Sequence, residues 1–168
     1  MIERIRNHLI GRRLGAVAVA ALLVATGCGA EAPPETRDVQ DATLVVHHDP
    51  NCGCCGKWIE HMEQHGFAVE SVLETDMNAV KRKLGVPANL PSCHTATIGD
   101  YVVEGHVPAG DVQRMMKEKP DIAGIAVPGM PLGSPGMEYG DTRHAFDVVG
   151  FDDTGSTAVF NHYPEIKE

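Results

Sequence analysis

The stretch Asp49-Pro-Asn-Cys-Gly-Cys-Cys-Gly-Lys-Trp58 places three thiols within four positions, where a β-rich run gives way to a helical one. Before it, Thr43 to His48 predicts a buried first strand. After it, Lys57 to His65 predicts a helix stopped by Gly66, with Trp58, Ile59 and Met62 on its inward face. Cys52 and Cys55 have the spacing of a dithiol redox pair, but Cys54 is a third sulfur that such a pair does not need. Two thiols can make a disulfide, whereas three crowded together point to a soft metal. The loop therefore poses a choice between moving electrons through sulfur and holding a metal with it.

Further along, Ala68 to Glu74 predicts a second strand, and Met77 to Leu84 a second helix ended by Gly85 and Pro87. This β-α-β-α order implies a parallel strand pair joined by a right-handed crossover. Leu90 to Ile98 is a strand candidate entered through Pro91, Gly99-Asp100 is a two-residue turn, and Tyr101 to Glu104 returns as the hairpin partner. Asp111 to Lys119 predicts a third helix, capped near Gly110-Asp111 and closed by Pro120. The resulting order, β-α-β-α-β-β-α, is that of the thioredoxin fold, an α/β domain of three layers with a central mixed sheet. Past Pro120 the pattern departs from a minimal domain of that kind. Val127 to Met137 is a Gly/Pro-rich loop with two Pro-Gly-Met frames, and Phe146 to Phe151 with Thr157 to Phe160 predicts a terminal hairpin. This extension lies against the sheet edge or covers the site.

The first 27 residues are not counted as fold. Arg4, Arg6, Arg12 and Arg13 precede an apolar run, Leu14 to Ala25, that is short for a bilayer span. That is the pattern of a secretory signal. Its end, Val24-Ala-Thr-Gly-Cys28, resembles a bacterial lipobox, which makes Cys28 the expected lipidation site and the membrane the expected anchor. Residues 28–42 read as a flexible tether with Pro33-Pro34, and residues 43–168 as one domain. Removing four Arg and one Glu with the signal moves the formal charge from −9 to −12. An acidic domain disfavours nucleic acid as a partner and favours cationic ligands, metal ions included. Export also carries the thiols beyond the reducing cytosol, to the periplasmic side of the cell envelope. Because only 5% of residues are aromatic, the core must be built from Val, Ile, Leu and Ala.

The chemistry-bearing residues favour the metal over the redox pair without removing the choice. At the start of a helix the partial positive charge favours thiolates, which both redox exchange and metal ligation require. In a thioredoxin-like fold a loop entering the third strand through a proline faces the cysteine turn, so Cys93 brings a fourth sulfur. His106 is the best-placed histidine. His94 follows, although alternation along a strand would point it away from Cys93. Only one of His47 and His48 can face the loop, and His61, His65, His144 and His162 read as surface residues. Met130 and Met137 add thioethers on a loop whose Pro and Gly residues restrict its shape, while Met62, Met115 and Met116 read as core. Thioether with thiolate and imidazole suits copper, whereas zinc needs only thiolate and imidazole.

Five motifs in order then carry a family resemblance: Cys52-Gly-Cys-Cys55, Pro91-Ser-Cys-His-Thr95, Glu104-Gly-His-Val-Pro108, Pro128-Gly-Met-Pro131 and Gly133-Ser-Pro-Gly-Met-Glu138. Over about residues 43–150 the chain resembles a predicted metal-binding family, formerly of unknown function, that includes the CopG-type periplasmic copper-resistance proteins. The resemblance implies a thioredoxin-like fold, an envelope location, copper at the Cys-x-Cys-Cys loop and a role in copper redox or transfer. Mapped by motif, it implies Cys52, Cys54, Cys55, Cys93, His106, Met130 and Met137 as ligands. Copper is expected as Cu(I), with Cu(II) if the site cycles as a copper oxidoreductase, and the expected partners are copper-handling envelope proteins. Two alternatives stay open: a thiol-disulfide oxidoreductase working through Cys52 and Cys55, and a structural zinc domain.

Overall fold

The computed structural model describes residues 42–167. The signal, the lipidation site Cys28 and nearly all of the tether lie outside the described residues. Ten elements follow in order: β1 (Leu44–His48), α1 (Gly53–Gln64), β2 (Val69–Leu73), α2 (Met77–Lys83), β3 (Thr95–Ile98), β4 (Tyr101–Glu104), α3 (Ala109–Glu118), β5 (Gly124–Ala126), β6 (Phe146–Phe151) and β7 (Thr157–Tyr163). The strands form one mixed sheet in the order β2-β1-β3-β4-β5-β6-β7. β1 runs parallel to β2 as the crossover argument requires, while β3 is antiparallel to both β1 and β4. No helix among the described residues is long and apolar enough to cross a membrane.

Alternation sorts the sheet into two faces. Leu44, Val46, Ala96, Ile98, Val103 and Ile125 pack with Trp58 and Met62 of α1 and with Val112 and Met115 of α3. Val102, Ala126 and Phe151 form a smaller cluster with Leu90 on the opposite side. Each fully buried side chain of this size contributes about 1.5–3 kcal/mol, so aliphatic packing, rather than the thiols, holds the domain together. Methionines 62, 115 and 116 are core residues, as expected.

α1 begins four residues before the expected start. Cys52 is its N-cap, so the cysteine loop belongs to the first helical turn. Gly53 and Gly56 weaken the local helical signal. Asp49 supplies what propensity lacks: its carboxylate accepts from the Asn51 N–H (2.7 Å) and its carbonyl from the Cys52 N–H (3.0 Å). The strand expected over Leu90–Ile98 forms only from Thr95, which leaves residues 91–94 as a loop.

The expected terminal hairpin forms and extends the sheet at its edge. Its attachment runs through β5, a three-residue strand that was not anticipated, paired parallel to β4 and antiparallel to β6. Gly124 leaves no room for a side chain there, since a Cβ would lie 2.1 Å from the Val102 carbonyl oxygen. α3 then fastens the hairpin. Asp111 accepts from Asn161 Nδ2 (2.9 Å) and the Tyr163 hydroxyl (2.7 Å), and the Arg114 guanidinium lies 3.8 Å over the Phe160 ring.

Candidate metal centre

The first turn of α1 presents three sulfurs. Cys52 and Cys55 are joined in a disulfide, and Cys54 Sγ lies 3.5 Å from Cys52 Sγ. From across the cleft, the loop before β3 brings Cys93 Sγ to 3.7 Å from Cys54 Sγ. All four sulfurs lie within 4.8 Å of one another, a spacing that can hold a metal ion. Cys54 and Cys93 are free and partly exposed.

Two imidazoles continue the cluster on the buried side. His106 Nδ1 lies 2.8 Å from the Pro135 carbonyl, which can only accept, so the proton sits on Nδ1. Its Nε2 lone pair therefore faces Cys93 Sγ at 3.0 Å, and the Cys93 thiol donates to it. Burial lowers the His106 pKa, against smaller opposing effects of the Pro135 hydrogen bond and Glu138, so the ring is neutral and available as a ligand at pH 7. His94 Nδ1 lies 3.2 Å from the same sulfur. Its Nε2 is buried without a hydrogen-bond partner, and burial, then His106, then Lys81 hold its pKa well below the ordinary 6.5. Trp58 covers the His94 ring at 4.3 Å and donates from Nε1 to the Val107 carbonyl.

His94 is the residue for which strand alternation misled. Because β3 starts only at Thr95, Cys93 and His94 sit on irregular backbone, and both reach the same point. The signal for this was Pro91, which disfavours regular pairing around it. Cys93, His94 and His106 form a second group whose ligand atoms lie within 4.8 Å of one another.

Burial and then the neighbouring Cys54 push the Cys93 thiol up to about 12. A metal that binds there must displace a tightly held proton, a competition in which soft ions do best.

The Gly/Pro loop closes one side. Gly136 adopts φ +84°, and a Cβ there would lie 2.8 Å from the Cys54 carbonyl oxygen and 2.9 Å from the Trp58 nitrogen. Glycine is what lets this loop lie directly on the first turn of α1. Met137, the next residue, is half-buried, whereas Met130 is 53% exposed and lines a surface pocket with Pro128, Pro131 and Phe146.

The other histidines divide differently. His47 bonds Glu74 (2.9 Å) and His48 bonds Ser71 (2.7 Å), so both have partners of their own. His65, His144 and His162 are exposed, as expected. His61 is not a free surface residue: it is half-buried and accepts from the Ala109 N–H (3.2 Å).

A buried ion pair behind the loop carries no signal in the sequence. Lys81 Nζ donates to Glu104 Oε1 at 2.6 Å, and both side chains are nearly or fully removed from solvent. Lys81 stands beside Arg82 and Lys83 in a run of cations, so nothing local marks it as the one that turns inward.

Residues 90–137, which include Cys93, His94, His106, Met130 and Met137, match the model of a family described as a protein of unknown function, DUF411. The chain is also similar to two solved structures titled copper resistance protein CopG. Form 2 is 51% identical with a TM-score of 0.70, over 73% of this chain and 98% of that one. Form 1 is 52% identical with a TM-score of 0.70, over 73% of this chain and 97% of that one. No curated protein matches the chain.

Proposed function

We propose, from the premise that this chain belongs to the family of copper resistance protein CopG, that it binds copper as Cu(I) in the bacterial cell envelope. The observation that carries this reading is the convergence of four cysteine sulfurs within 4.8 Å, with two imidazoles behind the fourth. Thiolates backed by neutral imidazole form a soft donor set, and thioethers from Met130 and Met137 would make it softer still. Zinc has no use for those methionines. Copper is the cargo here, and the protein acts on it as buffer, chaperone or redox partner.

The disulfide sets a condition on this reading. Cys52 and Cys55 can serve as ligands only after a two-electron reduction, by a dithiol donor for example, releases both sulfurs. In the oxidised state Cys54, Cys93, the imidazoles and the two thioethers are the donors left. Re-forming the Cys52–Cys55 disulfide from the dithiol releases two electrons and two protons, enough to reduce two Cu(II) ions to Cu(I). We read β1 to α3 as a thioredoxin-like core, and place the chain at the periplasmic face, held by lipid at Cys28 and exchanging copper with other envelope proteins.

The test is to reduce the protein anaerobically, load Cu(I) and count ions per chain in the parent, Cys54→Ser and Cys93→Ser forms. At least one tightly held copper is expected, with a clear loss in each variant. Less than one ion, unchanged by either substitution, sinks the reading. The Cys52–Cys55 disulfide favours one competitor, a metal-independent thiol-disulfide oxidoreductase. That alternative requires dithiol turnover by metal-free protein to survive Cys54→Ser.

A further inference from the structure

Glu104 ends β4 with its carboxylate wholly buried. Oε1 accepts from Lys81 Nζ and from the Ser92 backbone N–H, both at 2.6 Å. Oε2 accepts from the Thr95 hydroxyl at 2.6 Å, and Lys81 Nζ also donates to that hydroxyl at 2.9 Å. The ring of bonds draws one residue each from α2, β3 and β4, and a fourth from the loop that carries Cys93. Burying two charges is a poor way to stabilise a sheet face, since apolar residues of similar volume usually do as well or better. What an apolar pair cannot do is accept a hydrogen bond from a loop. The Ser92 N–H is the one group in the ring that belongs to no regular element, and it immediately precedes Cys93.

Two further contacts hold the same residue. The Ser92 hydroxyl donates to the Gly129 carbonyl, on the Gly/Pro loop. Gly105, at φ +71°, leaves no room for a Cβ against the Ser92 side chain and so lets the end of β4 press on the loop. Ser92 is thus gripped from below by the ion pair and from the side by the covering loop. The sulfur one residue on stands 3.7 Å from Cys54.

We propose that Lys81 and Glu104 are positioning residues of the copper site, holding Cys93 in reach of Cys54 through the Ser92 N–H. The inference rests on the copper-binding reading. It assigns the buried pair to ligand geometry rather than to fold stability alone.

The experiment is competition for Cu(I) between the reduced protein and a chromophoric chelator. Two paired variants are compared: Lys81→Met/Glu104→Leu, which removes the acceptor, and Lys81→Met/Glu104→Gln, whose amide oxygen can still accept from Ser92. Each is made with Cys93 intact and with Cys93→Ser. The Leu pair is expected to weaken Cu(I) binding by about 10- to 100-fold, the range for partners that orient a ligand. The Gln pair should recover most of that loss, and neither should weaken binding further in the Cys93→Ser background. No loss, the same loss for Leu and Gln, or the same loss without Cys93 would overturn the proposal. Should the Leu pair fail to fold by circular dichroism, Thr95→Val carries the test. It should lower affinity about threefold with Cys93 present, because it removes the hydroxyl's charge-assisted bonds to the pair and leaves the Glu104–Ser92 bond in place, and an unchanged affinity overturns the inference. Less than one ion per chain in the parent, unchanged by Cys54→Ser or Cys93→Ser, defeats the copper reading and this inference with it, whereas native affinity in Cys93→Ser alone, or failure of the paired variants, defeats only the inference.

Discussion

Cys52, Cys54 and Cys55 reach the centre from a single helical turn, whereas Cys93, His94 and His106 reach it from loops brought together by the pairing of β3 with β4. The helical side is partly exposed at Cys52 and Cys54, and two of its sulfurs are already bonded to each other. The loop side is buried at both imidazoles and stands on a buried ion pair. One side is a local device, its disulfide closed within a single helical turn. The other is a consequence of the tertiary fold and is only as well formed as the fold is. Stability measurements on metal-free protein should therefore respond strongly to changes behind the loop side and weakly to changes on the helical side.

The sharpest contrast is between Glu104→Ala and Cys54→Ser. Truncating Glu104 leaves the Lys81 ammonium buried without its partner, which should cost about 3–5 kcal/mol in urea unfolding. Cys54 is partly exposed and lies outside the hydrophobic core, so its serine variant should stay within about 0.5 kcal/mol of the parent. Equal losses in the two variants would erase the distinction between the sides.

Gly136→Ala tests the seam where the covering loop meets the helical side. The added methyl would meet backbone atoms of Cys54 and Trp58 at under 3 Å and would also sit at positive φ, so the loop must lift. A loss of about 2–3 kcal/mol is expected, the usual scale of a backbone clash at a special dihedral. A neutral result would mean that the loop does not rest on α1.

The pH profile separates the sides again. His94 has its folded-state pKa well below 6.5, from burial first and then from His106 and Lys81. As pH falls below about 6.5 the unfolded chain takes up a proton that the folded chain refuses, so stability declines by up to about 1.4 kcal/mol per pH unit for that ring. Cys93 works at the opposite end. Its folded value near 12 against an ordinary 9.0 means that, above pH 9, the unfolded chain releases a proton the folded chain keeps, and stability falls again. Metal-free protein with the Cys52–Cys55 disulfide intact should show a plateau between these limits in thermal unfolding. Cys93→Ser should remove part of the alkaline decline that begins at pH 9, while Tyr163, also raised to about 12, leaves a later decline in place. An acid limb unchanged in His94→Asn would assign it to other groups.

How much of this was legible in the sequence follows the same division. Strand periodicity and the glycine stops marked the first seven elements, because each is defined by residues within a few positions of one another. The three cysteines of α1 were legible for the same reason. Cys93 and His106 could be placed once the element order was known. His94 could not, because its direction depends on where β3 begins, and the four loop residues 91–94 decide that. β5 is too short to carry a pattern, although it fixes where the terminal hairpin docks. Lys81 and Glu104 were invisible, since a buried charge is betrayed only by its partner, and theirs lie 23 positions apart.

The smallest expected effect concerns the two methionines, which the sequence treated alike and the structure does not. Met137 follows the glycine that rests on Cys54 and is half-buried, whereas Met130 is 53% exposed and borders a different surface pocket. A thioether on a backbone already packed against the sulfurs loses little freedom on ligating copper. One that must first be drawn in from solvent forfeits side-chain entropy of about 1.5–2 kcal/mol. Met137→Leu should therefore weaken Cu(I) binding more than Met130→Leu, which should change affinity by no more than about threefold and stability by less than about 0.5 kcal/mol. Chelator competition on the two variants decides the matter. A larger loss at Met130 would mean that the Gly/Pro loop folds inward when copper binds, making the exposed frame of that loop, rather than the packed one, the part that responds to the metal.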